Sequence, residues 1–380
     1  MKILFCAAHY ALNNSYAVTA YQIINYLASQ GHTIYYVAIE SPTNSRTDRT
    51  LHENVHILEQ DSFGYENVIA YNQAFRPDII LVYSNVVIAS HYVNKLLTVE
   101  KTFKLILYID LTYKWQNHIP HLNKITDKFV CFNVSWERHL ADIGVSNHKV
   151  TTIEYPVEIP KNIHELSKED FVVLNFNRNI FRKRIDITLD GFIKFFLLNG
   201  CNKNLKLFIK WDDENESGIN IRNTAIALAS DNGLTTQQTD ILMNNSIIGH
   251  SGDDLSPDNA WQVYGMGHVG LNTSSGEGFS LCSVNHQLCG RPQIISGIST
   301  HRELFDSEWC TLLPIKSRIM LPRIIDSGGL QELVSSDDVA EALDFYYKNP
   351  EIRDRHGLAG RDHFLNKESP LPRWNDILKL

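Results

Sequence analysis

Two short stretches of this 380-residue chain carry residue types that together could hold and neutralise an anion. The first is Ser274-Ser275-Gly276-Glu277-Gly278-Phe279-Ser280-Leu281, continuing through Cys289-Gly290-Arg291-Pro292. A Gly-rich loop follows an apolar strand there, and Ser280 stands where it can cap the next helix. Leu281, Val284 and Leu288 are expected to form the buried face of that helix. Gly290 stops it and Pro292 prevents its resumption. Its N-terminus therefore presents free backbone N–H groups and a positive dipole end at the carboxyl edge of a sheet, which suits a pyrophosphate. Glu277 would stand beside the phosphate and accept bonds from sugar hydroxyls. The second stretch is Phe176-Asn177-Arg178-Asn179-Ile180-Phe181-Arg182-Lys183-Arg184, which also follows a strand. The fixed guanidinium of Arg178 and the mobile ammonium of Lys183 can jointly neutralise a diphosphate leaving group. Arg182 and Arg184 read as surface charges at a helix start. A basic run by itself is usually a solvated helix start; the Gly-rich loop one domain-length on is what makes this one a site.

Two other matches fail on context. His52-Glu53-Asn54-Val55-His56 fits H-E-x-x-H, but zinc chemistry needs both histidines on one helix face. Val55-His56-Ile57-Leu58 alternates like a strand instead. Gly265-Met266-Gly267-His268-Val269-Gly270 fits G-x-G-x-x-G, yet it follows a helix-like stretch and opens a strand, the reverse of a dinucleotide fingerprint. No convincing D-x-D appears; Trp211-Asp212-Asp213-Glu214 is a poor substitute.

The elements that must position the two stretches alternate along the chain. Residues 2–8 read as a strand, Tyr16 to Gln30 as a helix stopped by Gly31, and Thr33 to Ile39 as a strand. Apolar strands follow at 77–82, 104–109 and 128–132, with a helix from about Ser135 to Ile143. Residues 151–170, with Pro156 and Pro160, read as a linker. The alternation restarts with a strand at 171–176, a helix at 185–199, strands at 205–211 and 269–272, a helix at 281–289 and a strand at 293–295. Continuous apolar strands between helices argue for parallel sheets covered on both faces. The expected fold is α/β: two doubly wound Rossmann-like domains facing each other across a cleft, with ligands outside the carboxyl ends of the strands.

Composition agrees with a globular protein, 43% apolar and 21% charged, with a net charge of −8 that advertises no nucleic-acid partner. Six scattered cysteines without a CxxC pair suggest reduced thiols and a cytoplasmic setting. The N-terminal apolar run is too short for a signal peptide and meets His9 at once. No apolar 20-mer follows, so no transmembrane segment is expected, which leaves peripheral membrane contact open. The sequons at Asn13, Asn133 and Asn272 then carry no weight.

On these residues the chain resembles retaining glycosyltransferases of family 4, which have the two-domain GT-B fold. The Gly276-Glu277-Gly278-Phe279-Ser280-Leu281 and Cys289-Gly290-Arg291-Pro292 segments resemble the family's signature loop and helix, and Arg178 with Lys183 its phosphate-binding pair. Weaker likenesses are Gln30-Gly31-His32-Thr33, Arg76-Pro77-Asp78, Asn133-Val134-Ser135 and Ile143-Gly144-Val145. The resemblance implies domains at 1–160 on the acceptor side and 161–365 for the nucleotide sugar, with a last helix at 366–380 packing back on the first and Trp374 as its anchor. It also implies that Glu277 holds donor hydroxyls and that backbone from Gly278 through Phe279 and Ser280 to Leu281 binds phosphate. Transfer would proceed with retention and without a bound metal or cofactor, the donor phosphate accepting the acceptor's proton. Such a reaction asks for positioning and charge stabilisation rather than a nucleophile.

Three departures stand out. Where the family has a second Glu for the ribose, this chain has Asn285, whose amide can still bond a hydroxyl. The usual Gly-Gly loop is Asn13-Asn14-Ser15-Tyr16, which puts Ser15 at the donor. The family's N-domain histidine is absent, and Asp110 is the nearest polar candidate for its catalytic place. Glu303 resembles a further family glutamate or a helix-start acid, and His250 precedes a turn, Ser251-Gly252-Asp253-Asp254, that fits base contacts. The expectation is a hexosyltransferase of glycan biosynthesis, using GDP-mannose first and a UDP-sugar second, acting on a glycan or other hydroxyl acceptor. The GDP-mannose lean rests on the likeness of Asn177-Arg178 with Arg182-Lys183 to mannosyltransferases. The alternative is a sugar-nucleotide-binding protein without turnover; a dehydrogenase lacks its fingerprint.

Overall fold

The structure, a computed structural model, describes residues 1–12, 14–42, 49–160, 163, 165–211, 217–250, 257–325 and 328–379, without the side chains at 250 and 257–259. Asn13, Asp212 to Glu214, the His250 side chain and Ser251 to Asp254 therefore lie outside the described residues. The chain divides into two compact units: Met1–Pro156 with Leu321–Gly329 and Glu368–Leu380, and Val157–Met320 with Leu330–Lys367.

In the first unit the strands are β1 (Lys2–Ala8), β2 (Thr33–Ile39), β3 (Val55–Glu59), β4 (Ile79–Asn85), β5 (Lys104–Asp110), β6 (Lys128–Cys131) and β7 (Val150–Thr152). They form one parallel sheet in the order β3-β2-β1-β4-β5-β6-β7. Helices α1 (Ser15–Ser29), α2 (Val68–Phe75), α3 (Val86–Leu96), α4 (Ile119–Leu122) and α5 (Val134–Asp142) connect them. Local chemistry fixes the helix starts. The Asn14, Asn85 and Asn133 side chains accept from first-turn N–H groups, which is what an amide at an N-cap does. Gly31, at φ 85°, ends α1 in the left-handed conformation foreseen for it. The strands read as unbroken apolar runs because both sheet faces are covered: Ile3, Leu4, Phe5, Ile80, Leu81, Val82, Leu105, Ile106 and Leu107 are all fully buried.

The expected linker at 151–170 begins inside the sheet. Val150–Thr152 pairs with β6, a strand too short to show a period in sequence. The His52–His56 match is confirmed as non-helical: Val55 to Glu59 is the edge strand, with His56 exposed on it.

The second unit's strands are β8 (Phe171–Asn175), β9 (Leu205–Lys210), β10 (Ile247–His250), β11 (Val269–Asn272), β12 (Gln293–Ser296) and β13 (Thr311–Leu313). They form a parallel sheet in the order β10-β9-β8-β11-β12-β13. Its helices are α6 (Ile185–Leu198), α7 (Ile221–Asp231), α8 (Thr236–Ile241), α9 (Pro257–Met266), α10 (Leu281–Leu288), α11 (Ser299–Leu304), α12 (Ser336–Lys348) and α13 (Pro350–Leu365). A two-stranded ribbon, β14 (Ser317–Leu321) and β15 (Gly329–Leu333), follows the sheet. The last helix, α14 (Arg373–Ile377), belongs to the first unit. There Trp374 is fully buried, edge-on to Tyr108 at 5.1 Å, and Asn375 donates to the Tyr26 hydroxyl at 2.8 Å.

Two parallel, doubly wound Rossmann-like sheets are the α/β class that the alternation of runs and helices implies. Among the described residues no helix is long and apolar enough to cross a membrane.

Candidate active site

The order of the second sheet decides where its loops meet. β8 lies between β9 and β11, so the loops leaving β8 and β11 emerge side by side at the carboxyl edge, on either side of the topological switch point. The β8 loop ends in a single tight turn, Phe181–Lys183, before α6. The β11 loop, Thr273 to Ser280, leads into α10. Residues ninety-odd positions apart in sequence thus share one site.

Glu277 is its centre, 4% exposed. Arg182 Nη1 donates to one carboxylate oxygen at 2.6 Å, and Lys183 Nζ donates to the other in a closer bond. Arg182 Nη1 also donates to the Gly276 carbonyl at 3.1 Å, and Lys183 Nζ to Asn177 Oδ1 at 2.8 Å. Burial alone would raise the Glu277 carboxyl, but Lys183 and Arg182 outweigh it and hold the group well below the usual carboxylate range. Burial pulls the Lys183 ammonium down from its ordinary value while Glu277 pushes it back. Two cations against one anion leave the cluster net positive in a low-dielectric setting, a standing attraction for a further anion.

Arg182 is therefore not the surface charge expected of it. It lies in the same turn as Lys183, and its side chain, 13% exposed, is committed to the loop. Its own carbonyl accepts from the Ser275 N–H at 2.8 Å and from the Ser275 hydroxyl at 3.1 Å, and Gln331 donates to that hydroxyl at 2.9 Å. Arg184 pairs with Asp186 instead. Arg178 is the exposed member of the run, and among the described residues its guanidinium has no hydrogen-bond or ion-pair partner. Asn175, Asn177, Thr188 and Thr273 form a buried chain of hydrogen bonds beneath the two loops: Asn177 to Asn175 at 2.7 Å, Asn175 to Thr188 at 2.8 Å, and Thr188 to Thr273 at 2.7 Å.

Ser280 precedes α10 as expected, but its side chain does not cap the helix. At φ 77° it sits in the left-handed region and its hydroxyl turns inward to Asn272, Ser283 and His301. The Ser283 N–H turns back to the Ser280 carbonyl at 3.0 Å, while the Leu281 and Cys282 N–H groups ahead of it have no intrahelical acceptor by helix geometry, the arrangement an anion needs. Phe279 is buried, and Leu281 is half-buried on α10. Asn285, one turn further along the half-buried face, bonds the buried Tyr264 phenol, which also meets Cys282. Gly290, at φ 76°, ends the helix. Glu303 is exposed on α11.

Two glycines of the reversed G-x-G-x-x-G, Gly267 and Gly270, have a packing reason. A Cβ on Gly270 would lie 2.2 Å from Gln293 Oε1 and 2.3 Å from His286 Nδ1, and one on Gly267 would lie 2.6 Å from Leu174 Cβ. The buried His286–Gln293 pair fills the space that side chains would need.

In the first unit Ser15 opens α1, and the neighbouring Tyr16 donates its phenol to Asp110 at 2.7 Å. Asp110 ends β5 and Tyr16 follows β1, so both stand at the carboxyl edge of that sheet. Near them Tyr83 and Tyr155 share a hydrogen bond at 2.7 Å, with the Tyr108 ring tilted against Tyr83 at 4.8 Å. This tyrosine cluster had no signal in the sequence, because its members come from three separate elements and the segment after β7. Arg182 did carry one, its place beside Lys183, whereas Thr300 and His301, which reach the same loop from α11, carried none.

No protein-family model matches the sequence, and no curated protein matches it. Solved structures do match the fold. Sucrose-phosphate synthase from Thermosynechococcus elongatus superposes with a TM-score of 0.73 at 13% identity, over 100% of this chain and 98% of that one. Anabaena HepE in complex with UDP gives 0.64 at 13% identity, over 100% and 99%. The lipopolysaccharide outer core galactosyltransferase WaaB gives 0.63 at 14%, over the whole of both chains. At such identities the likeness is one of architecture, and that architecture is GT-B.

Proposed function

We propose that the chain is a glycosyltransferase that moves a hexose from a nucleoside diphosphate sugar to a hydroxyl acceptor such as a glycan, with retention of configuration and without a metal. The observation that carries this reading is the net-positive Arg182–Lys183–Glu277 cluster set beside the α10 N-terminus at the switch point of the second sheet. The bond between the sugar's C1 and the diphosphate oxygen breaks, and the leaving diphosphate takes the bonding pair. Lys183, Arg178 and the first-turn amides of α10 stabilise the charge that develops there. The acceptor oxygen bonds to C1 and its proton passes to a leaving phosphate oxygen, so the protein supplies geometry and charge rather than a base. As the diphosphate arrives it replaces Glu277 as counterion of Lys183, which frees the carboxylate for donor hydroxyls.

For the donor, the residues of the basic run favour GDP-mannose. The fold's likeness to HepE, whose structures include complexes with UDP and with UDP-glucose, puts a UDP-hexose ahead of it. Asp110, oriented by Tyr16, is assigned to the acceptor side. The second reading is a sugar-nucleotide-binding protein without turnover, which Asn285 favours by standing where the family's ribose-binding Glu is expected.

The test is thermal unfolding against UDP-glucose, UDP-galactose, UDP-N-acetylglucosamine and GDP-mannose, followed by an assay for released nucleoside diphosphate. A donor at about 100 times its dissociation constant adds roughly 2.7 kcal/mol to the native state, a shift of several degrees. A shift with release supports the transferase. A shift without release under any acceptor selects the binding protein. No shift with any donor or bare diphosphate sinks both.

A further inference from the structure

We propose that Thr300 and His301, at the start of α11, are positioning residues that hold the Glu277–Ser280 loop in the shape its backbone needs to receive the donor's diphosphate. The proposal rests on reading that loop as the donor site. It is carried by a pair of buried hydrogen bonds, one to each end of the loop. The Thr300 hydroxyl donates to the Glu277 carbonyl at 2.7 Å. His301 Nε2 lies 2.9 Å from Ser280 Oγ. Both residues are out of solvent, Thr300 at 1% exposure and His301 at 0%.

The tautomer of His301 follows from its partners. Nδ1 lies 2.6 Å from the Ser296 carbonyl, which can only accept, so Nδ1 carries the proton. Nε2 is then a lone pair, and the Ser280 hydroxyl donates to it. The Ser280 oxygen in turn accepts from Asn272 Nδ2 at 3.0 Å. The imidazole thus bridges the end of β12 to the residue before α10. Burial keeps the ring neutral, with its pKa lowered to about 4, so it stays an acceptor toward Ser280.

Ser280 is where such a bridge is needed. At φ 77° and ψ 46° it occupies a conformation that side-chain-bearing residues rarely adopt and that persists only when surroundings over-determine it. Its hydroxyl, turned to His301 and Asn272, does not cap the helix. The Ser283 amide donates to the Ser280 carbonyl at 3.0 Å, and the Leu281 and Cys282 amides ahead of it stay available to a ligand, where a conventional Ser cap could occupy that of Cys282. A histidine that served packing alone would not need to reach the one strained residue of the anion loop.

The test exploits the two ends of the imidazole. His301→Asn keeps an N–H at the Nδ1 position for Ser296 and loses the atom that reaches Ser280. His301→Gln keeps an acceptor at the Nε2 position. Ser280→Gly removes the conformational penalty, so the loop no longer needs the bridge. In the unliganded full chain, His301→Asn is expected to speed amide hydrogen exchange over residues 276–281 about tenfold, the loss of one buried bond. It should also weaken UDP and pyrophosphate binding by about the same factor, with His301→Gln restoring most of both. In the Ser280→Gly background, adding His301→Asn should change binding less than twofold. Unchanged loop exchange in His301→Asn, or an equal effect in both backgrounds, overturns the proposal. If the parent protein binds neither UDP nor pyrophosphate, the donor-site reading falls, and the exchange result alone then decides whether His301 holds the loop.

Discussion

In the proposed reaction Glu277 carries both stability and chemistry. Its carboxylate is the shared counterion of Arg182 and Lys183, so changing it leaves two buried cations with a weaker acceptor. Breaking such a pair typically costs about 3–5 kcal/mol. We predict that Glu277→Gln lowers the unfolding temperature by several degrees and lowers transfer by more than about 100-fold. Pyrophosphate should raise its unfolding temperature more than it raises that of the parent, since the anion replaces the lost charge. Calorimetry with and without pyrophosphate, beside a product assay, checks all three, and full activity would remove Glu277 from the site. Arg178 makes the opposite prediction. Exposed and unpaired among the described residues, it is expected to contribute to binding and little to folding. Arg178→Ala should leave stability within about 0.5 kcal/mol while kcat/KM for donor falls by about 10- to 100-fold. An unfolding temperature that drops with activity would mean the residue is structural.

At the scale of elements, helices pack through glycines where the sequence shows no motif. A Cβ on Gly357 of α13 would lie 2.1 Å from the Gly290 carbonyl, at the end of α10, and one on Gly360 would lie 2.1 Å from Gln287 Nε2. Gln287 also donates to the Gly357 carbonyl at 3.0 Å. α13 therefore braces the helix whose N-terminus is proposed to receive the diphosphate. We predict that Gly357→Ala destabilises by about 1–3 kcal/mol despite the higher helix propensity of alanine, because the clash is with backbone. A urea midpoint equal to or above the parent's would show that the two helices can separate at no cost. The strands and helices with long apolar periods were legible from the residues alone: β1, α1, β2, β5, α6, β11 and α10 fall within a residue or two of their expected bounds. β7 and β13, three residues each, fell below the length at which period can be read.

For the whole molecule, buried neutral histidines set the response to acid. Burial lowers His286 to about 3 and His301 to about 4, from an ordinary 6.5. Between those values the unfolded chain binds protons that the native state refuses. Stability is therefore complete above pH 6.5 and falls as the pH drops, by about 1.4 kcal/mol per pH unit for each histidine. Glu277 adds a slope of the same sign below its ordinary 4.5, because its native carboxyl stays ionised to lower pH. We predict that urea midpoints decline from pH 7 to pH 5, and that His286→Gln flattens the decline. A flat profile in the parent would contradict the burial of neutral rings.

Local physics made much of this protein readable in advance. Apolar runs between amphipathic stretches dictated parallel sheets, since only strands covered on both faces can be continuously apolar. Gly31 and Gly290 ended their helices because the left-handed turn there suits a residue without a side chain. The Gly-rich loop and the basic run pointed to Glu277 and Lys183 as members of one site, and the two side chains do meet. Tertiary structure alone decided which atoms meet. Placing β8 beside β11 brought Arg182 onto Glu277, turned Ser280 away from its helix toward His301, and set Tyr16 against Asp110 across 94 positions of sequence in the other sheet. Strand order is a property of the closed sheet, and no interaction between near neighbours in the chain encodes it.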